Sequence, residues 1–473
     1  MITANKMNIM ENLHKARVAA KETNSSVLFS EVTKIGMLDP LSFYQSGNES
    51  YTGDRFFWQD PKKETVLVGI GKIDVFQSSH NQNRYNTIEQ RWEKLIDHAC
   101  IIKNQDVPGT GPLLFGGFSF DSAKNSSLLW DQFGDHLFYI PKYLLSIIDG
   151  QAYLTINALI DHEDDLSLLT ESDKEKDELL EKALNYVEQP AAQNELLEQI
   201  EVCPEEWKDT VQSAINEIRT TDLDKIVLAR ETRLRFQSDI SPAPVLNRLA
   251  REQPTSFIFC YESGSDYFIG ASPEQLVKKN GTTLSSACLA GSIARGKTAE
   301  EDDLLGKTLL HDQKNLIEHQ YVVSMIKHAM ETICRKVSVP DGPELMKTKH
   351  IQHLYTPVSG ECTEDISIFD CVEKLHPTPA MGGLPKEKAV ERIRELEILE
   401  RGFYASPIGW TDGKGNGEFA VAIRSALVQG NEASLFAGCG IVEDSEPESE
   451  YIETAIKFKP MLSALGGNLH ATS

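Results

Sequence analysis

Three charged residues near the end of the chain are spaced for joint action. Glu450, Glu453 and Lys457 stand at i, i+3 and i+7, so a helix places them along one face. On spacing alone they could equally form an ion-pair ladder on a surface helix. Two features argue for a site. The preceding segment, LFAGCGIV (Leu435–Val442), is apolar and glycine-rich, and it delivers backbone N–H groups close to the helix start, where an anion can bind. Far upstream, Glu318 stands beside His319 at the edge of an apolar stripe that continues through Val322 and Ile326. Carboxylates beside apolar surface need a partner or a metal. An oxygen-only donor set without a histidine or cysteine cluster points to Mg²⁺.

A second pattern is a decoy. GSIARGKT (Gly291–Thr298) fits the phosphate-binding loop G-x-x-x-x-G-K-[ST], with an apolar strand before it and a helix after. The residues that follow are Glu300, Glu301, Asp302 and Asp303. Carboxylates suit a helix N-terminus, but they repel the phosphates such a loop must cradle. The only candidate for a second nucleotide motif, ISIFD (Ile366–Asp370), is poor. A nucleotide hydrolase is therefore disfavoured.

The elements that must position these groups can be read around them. Trp207–Thr220 and Pro242–Arg251 have helical periodicity, and Lys225–Phe236 reads as a strand. Ser256–Tyr261 and Asp266–Gly270 read as a hairpin around SGSD. One long helix is expected over Leu304–Val337, two strands around GKGNG within Gly409–Leu427, a strand over Ser434–Val442 and a last helix over Glu448–Leu465. Upstream, strand-like runs cover Glu64–Ile73, Leu113–Asp121, Leu137–Asp149 and Ala152–Ala158. A charged, helix-prone stretch from about Glu163 to Ile200 joins the two parts. Strands and helices mix without a steady βαβ rhythm, which favours α+β with antiparallel sheets.

The chain has 473 residues, 40% hydrophobic and 25% charged, enough for a sizeable core. Its net charge of −24 disfavours nucleic acid and anionic membrane surfaces. An anionic substrate therefore needs a local positive site or a metal. The eight cysteines form no CxxC pair, and a reduced, cytoplasmic setting is expected. The first residues lack a continuous apolar core, so no signal peptide is expected. No apolar run is long enough to span a membrane.

Ten motifs now fall into one order. They are DKIVLAR (Asp224–Arg230), GASPE (Gly270–Glu274), LAGSIARG (Leu289–Gly296), IEHQ (Ile317–Gln320), QHLYTPVSG (Gln352–Gly360), LHPTPAMGG (Leu375–Gly383), ERGFYASPIGW (Glu400–Trp410), AIRSA (Ala422–Ala426), FAGCGIV (Phe436–Val442) and EYIETAIK (Glu450–Lys457). Over about Glu205 to Leu465 the chain resembles the chorismate-binding enzymes. The N-terminal part resembles them more weakly, mainly through GPLLFGGFSFD (Gly111–Asp121). The resemblance implies two antiparallel β-sheets packed as a sandwich with helices outside. Residues 1–200 would be a divergent N-terminal half and residues 201–473 the catalytic half of one large domain.

The resemblance also implies roles. Glu318 and Glu453 would hold Mg²⁺, with Glu450 in support, and the metal would clamp the ring carboxylate of chorismate. Arg424, Lys457 and the backbone at Gly438 would hold the pyruvyl carboxylate, with Gly291, His353 and Ala380 as further substrate contacts. Without the metal, three glutamates and a dianionic substrate leave a negative excess that Arg424 and Lys457 do not offset.

Lysine in DKIVLAR resembles the isochorismate synthases. There Lys225 would activate water for attack at C2, and Glu274 would protonate the departing C4 hydroxyl. Lysine is protonated near neutrality unless desolvation outweighs nearby carboxylates, and Glu274 needs a raised pKa. Ala290 stands where aminodeoxychorismate synthases carry a nucleophilic lysine. Water as nucleophile implies no glutaminase subunit. LHPTPA and the long N-terminal part look more like the menaquinone-type enzymes than the siderophore-type. Salicylate synthases share the lysine and the glutamates, so pyruvate elimination stays open, as does a non-catalytic paralogue.

Overall fold

The computed structural model describes residues 2–78, 83–124, 128–163, 167–187, 194–349 and 351–466. Parts of the expected linker, residues 164–166 and 188–193, lie outside the described residues.

Two layers of strands make up the frame, antiparallel except where Cys100–Ile102 runs parallel to Val27–Ile35. The first runs in spatial order through Cys100–Ile102, Val27–Ile35, Gln151–Ile160, His136–Ile148, Thr65–Ser78, Arg55–Gln59, Phe257–Ser263, Asp266–Ser272, Ser425–Gln429, Glu432–Ile441, Lys225–Phe236 and Leu196–Glu201. The second leaves the first at His136–Ile148. It continues through Leu113–Phe118, Pro407–Asp412, Gly417–Val421, Gln275–Asn280 and Thr283–Ala294 to Ile351–Cys362. The expected sandwich is present, with its two sheets hydrogen-bonded through a shared strand. Both sheets mix strands from either side of residue 200: Arg55–Gln59 pairs with Phe257–Ser263, and Leu113–Phe118 with Pro407–Asp412.

Alternation along the strands explains the layering. Trp58, Phe115, Phe259, Ile408 and Phe436 meet in the core between the sheets. The outer face of the first sheet packs on helices Pro40–Ser46, Ser167–Leu184, Pro242–Glu252 and Pro447–Leu465 through Phe43, Leu179, Leu246 and Phe458. The outer face of the second packs on helices Arg84–Asp97, Gln313–Glu331 and Ile368–Leu375 through Ile88, Val322 and Phe369. All eight cysteines are free thiols. No helix among the described residues is long and apolar enough to cross a membrane.

The strand Lys225–Phe236 ends where the sequence placed it. Two other expectations need correction. The helix expected over Leu304–Val337 is two helices, Ala299–His311 and Gln313–Glu331, followed by a strand at Cys334–Ser338. Asp312 breaks it. Its backbone is extended, and its carboxylate caps the second helix by accepting the Asn315 N–H at 2.8 Å. Glu318 therefore lies in the first half of a fresh helix. The segment Gly409–Leu427 makes three strands, because the chain leaves the second sheet at Val421 and joins the first at Ser425.

The look-alike phosphate loop is filled by the protein itself. Gly291–Ala294 belongs to the strand Thr283–Ala294, and Thr298 caps the next helix by accepting the Glu301 N–H. The Asp302 carboxylate accepts from Arg295 at 2.7 Å, from the Gly296 N–H at 3.0 Å and from Lys347 at 2.9 Å. The anion position of the loop is thus taken by a carboxylate of the chain.

Candidate active site

Two crossings between the sheets build the site. The chain passes from Asp266–Ser272 in the first sheet to Gln275–Asn280 in the second through Pro273 and Glu274. It returns from Gly417–Val421 to Ser425–Gln429 through Ala422–Arg424. The crossings are pinned together: Ala271 N–H donates to Arg424 C=O and Val421 N–H to Glu274 C=O, each at 3.0 Å. The Ser272 hydroxyl donates to Val421 C=O at 2.5 Å. Arg424 sits at φ +52°, in the left-handed region that a residue with a side chain seldom occupies. Where the sheets part, a cavity of about 290 Å³ opens, of a size for one small molecule.

Every residue singled out from the sequence lines that cavity: Lys225, Glu274, Gly291, Glu318, His353, Ala380, Arg424, Gly438, Glu450, Glu453 and Lys457. Lys225 opens its strand, and its ammonium pairs with the Glu318 carboxylate. Gly440 lies opposite Val227 on the neighbouring strand; a Cβ there would stand 2.6 Å from Lys225 Cε. Glycine at 440 thus clears the path for the lysine. His319 fixes the helix that carries Glu318. Its Nδ1 faces Ala290 C=O at 2.9 Å and its Nε2 faces the Thr356 hydroxyl at 2.7 Å. Nδ1–H is therefore the donor and Nε2 the acceptor.

On the helix Pro447–Leu465, Lys457 donates to Gly438 C=O at 2.8 Å and pairs with Glu453 at 2.7 Å. Burial pushes the Glu453 carboxyl up, but Lys457, Arg424 and Lys225 outweigh it and hold the carboxyl below its ordinary value. Burial raises Glu450. Glu274 is buried, and its carboxyl is pushed up to about 8 by desolvation, against the pull of Arg424, Lys457 and Lys225. Near neutrality it keeps its proton. His353 is pushed down to about 3 by burial and by Arg424 and Lys457, so it is a neutral imidazole, hydrogen-bonded to the Ser292 hydroxyl at 2.7 Å. The Arg424 guanidinium makes no hydrogen bond or ion pair with any described residue. A desolvated cation facing an open cavity is a ready anion site.

Among the described residues, no three His, Cys, Asp or Glu side chains already close around a metal position. Glu318, Glu450 and Glu453 nevertheless line one cavity with oxygen donors only, and Glu318 and Glu453 pair with the ammonium groups of Lys225 and Lys457. That donor chemistry fits Mg²⁺.

The sequence reading missed Gly440 and Tyr404. The Tyr404 hydroxyl would lie 3.3 Å from a Cβ at Gly438, and burial raises its pKa, so it remains a phenol lining the cavity beside Arg424. Both sit inside quoted motifs, FAGCGIV and ERGFYASPIGW. Only the approach of distant strands shows what they do.

The chain belongs to the chorismate binding enzyme family, whose model matches residues 11–466. It is 46% identical over 466 residues to the isochorismate synthase MenF of Bacillus subtilis, covering 97% of each chain. It is 34% identical to the salicylate biosynthesis isochorismate synthase of Pseudomonas aeruginosa, covering 95% of this chain and 93% of that one. The crystal structure of a putative 2,3-dihydroxybenzoate-specific isochorismate synthase from Bacillus anthracis superposes with a TM-score of 0.70 at 26% identity, over 90% of this chain and 100% of the other. The menaquinone-specific isochorismate synthase of Escherichia coli shares the fold, with a TM-score of 0.77 at 23% identity over 96% and 99% of the two chains.

Proposed function

We propose that this protein is a cytoplasmic isochorismate synthase, an isomerase that adds water at C2 of chorismate and releases the C4 hydroxyl. The observation that carries the reading is one cavity holding a buried, protonated acid, a lysine and an arginine with no ion-pair partner among the described residues. Arg424 and Lys457, with the backbone at Gly438, bind the pyruvyl carboxylate. Glu274 faces the leaving hydroxyl and protonates it. Once Glu318 turns to another partner and the Lys225 ammonium has given up its proton, the neutral amine takes a proton from the attacking water. Gly291, His353 and Ala380 shape the wall, with His353 as a neutral hydrogen-bonding group.

Glu318 and Glu453, with Glu450 in support, would hold Mg²⁺. When bound, the metal neutralises those carboxylates and offers a charge for the ring carboxylate. We place the product in menaquinone supply rather than siderophore supply. The support is the LHPTPA segment and the match along the whole chain to the Bacillus subtilis relative. With water as nucleophile, no glutaminase subunit is needed.

Incubation with chorismate, with and without Mg²⁺ and with and without ammonia, followed by chromatography, tests the reading. Isochorismate formed only with Mg²⁺ is the expected result. Salicylate with pyruvate would make the enzyme bifunctional. Anthranilate formed only with ammonia would overturn Lys225 as a water-activating base.

A further inference from the structure

The wall of the catalytic cavity carries one cation that none of the roles above uses. Lys314 lines the cavity from the first turn of the helix Gln313–Glu331, four residues before Glu318 and so on the same helical face. A glycine lets this turn sit close against the opposite wall. Gly291 stands at φ +81°, and a Cβ there would lie 3.2 Å from Asn315 Oδ1 and 3.3 Å from Asn315 Cβ.

Lysine runs against the local preference at this position. The positive end of the helix dipole favours carboxylates in a first turn. The preceding helix follows the rule with Glu300, Glu301 and Asp302, whereas the first turn of Gln313–Glu331 has no acidic residue and carries Lys314. Lys314 is exposed, and its ammonium makes no hydrogen bond or ion pair with any described residue. Asp312 feels its charge, but that carboxylate is taken up by the Asn315 N–H and side-chain amide, at 2.8 and 2.9 Å.

The charges of the loaded site leave room for one more cation. In the reading proposed above, Glu274 is protonated and Lys225 is neutral when water attacks, and Arg401 is paired with Glu397. Glu318, Glu450, Glu453 and the two carboxylates of chorismate then carry five negative charges. Mg²⁺, Arg424 and Lys457 return four, and Lys314 is the remaining cationic side chain on the wall. Arg424, Lys457 and Gly438 are assigned to the pyruvyl carboxylate. The ring carboxylate is left to the Glu318 side, where Lys314 stands one helical turn away.

We propose that Lys314 is a further substrate-binding residue, which pairs with the ring carboxylate of chorismate where the cavity meets solvent. The assignment rests on the chorismate reading and deepens it, because it makes the site select a dicarboxylate.

Two unreactive probes separate the carboxylates. 3-(1-Carboxyvinyloxy)benzoate keeps the ring and enolpyruvyl carboxylates, and 2-phenoxyacrylate keeps only the second. Each is titrated by calorimetry in the presence of Mg²⁺. Lys314→Gln, at an exposed position that leaves the fold intact, weakens binding of the dicarboxylate about fivefold and leaves that of phenoxyacrylate unchanged. Lys314→Arg retains the affinity. Lys307→Gln, which removes the same charge from an exposed position outside the cavity, changes neither titration. Added salt narrows the gap between wild type and Lys314→Gln. In turnover the loss appears in KM for chorismate rather than in kcat. Unchanged dicarboxylate affinity in Lys314→Gln, an equal loss for both probes, or the same loss in Lys307→Gln would overturn the assignment while wild type still makes isochorismate. Failure of wild type to bind either probe or to convert chorismate would strike the chorismate reading itself, and this assignment with it.

Discussion

Two buried arginine–glutamate neighbourhoods sit in the same sandwich and behave in opposite ways. Arg55 and Glu262 form a closed cluster. Arg55 gives Glu262 two hydrogen bonds, at 3.0 and 2.7 Å, and its third goes to Tyr44 C=O at 3.1 Å. The Gly53 N–H and the Tyr44 hydroxyl complete the carboxylate. Arg424 and Glu274 face a cavity, Arg424 without a hydrogen bond or ion pair among the described residues and Glu274 with its proton retained. Residue types are alike and both glutamates are buried, although Arg55 is fully buried and Arg424 half-buried against its cavity, so neither residue type nor a buried carboxyl marks a site. What differs is satisfaction: the closed cluster stabilises the fold, and the open one holds unpaired charge for a ligand.

Substitutions should separate the two. The largest effect falls on the open region, where Lys225→Ala and Glu274→Gln each lower turnover by about 10²–10⁴-fold. Chorismate binding and the melting temperature stay near wild type; a near-normal rate in either variant would remove that residue from its role. Arg55→Met, in the closed cluster, strands Glu262 and costs about 3–5 kcal/mol of stability. Denaturant titration checks this, and the folded fraction keeps its specific activity. Glu453→Ala raises the Mg²⁺ concentration needed for half-maximal rate by about tenfold; an unchanged metal titration would mean Glu453 is not a ligand.

The last test is in pH. Glu274 titrates above its unfolded value, so its contribution is fully present below the unfolded pKa and is lost as pH rises toward about 8. Between about pH 5 and 8 the melting temperature of wild type therefore falls more than that of Glu274→Gln. The rate declines above about pH 8 as the acid loses its proton. Parallel melting profiles would contradict the raised carboxyl.

Much of the site was legible because its residues lie in compact motifs, and the strand Lys225–Phe236 carries its own alternation and start. Other features were not. The break at Asp312 depends on one capping side chain inside an apolar periodicity that runs on regardless. The pairing of Lys225 with Glu318, and the clearance at Gly440, join positions far apart in sequence. Arg424 reads as a strand residue until the crossing between sheets is seen. The closed cluster of Arg55 and Glu262 left no local signal.

The account rests on water as nucleophile, and oxygen labelling tests that directly. Chorismate converted with Mg²⁺ in H₂¹⁸O should give isochorismate carrying one ¹⁸O, at the C2 hydroxyl, as read by mass spectrometry. Unlabelled isochorismate would mean that the hydroxyl moves within the substrate, and the roles given to Lys225 and Glu274 would fall together.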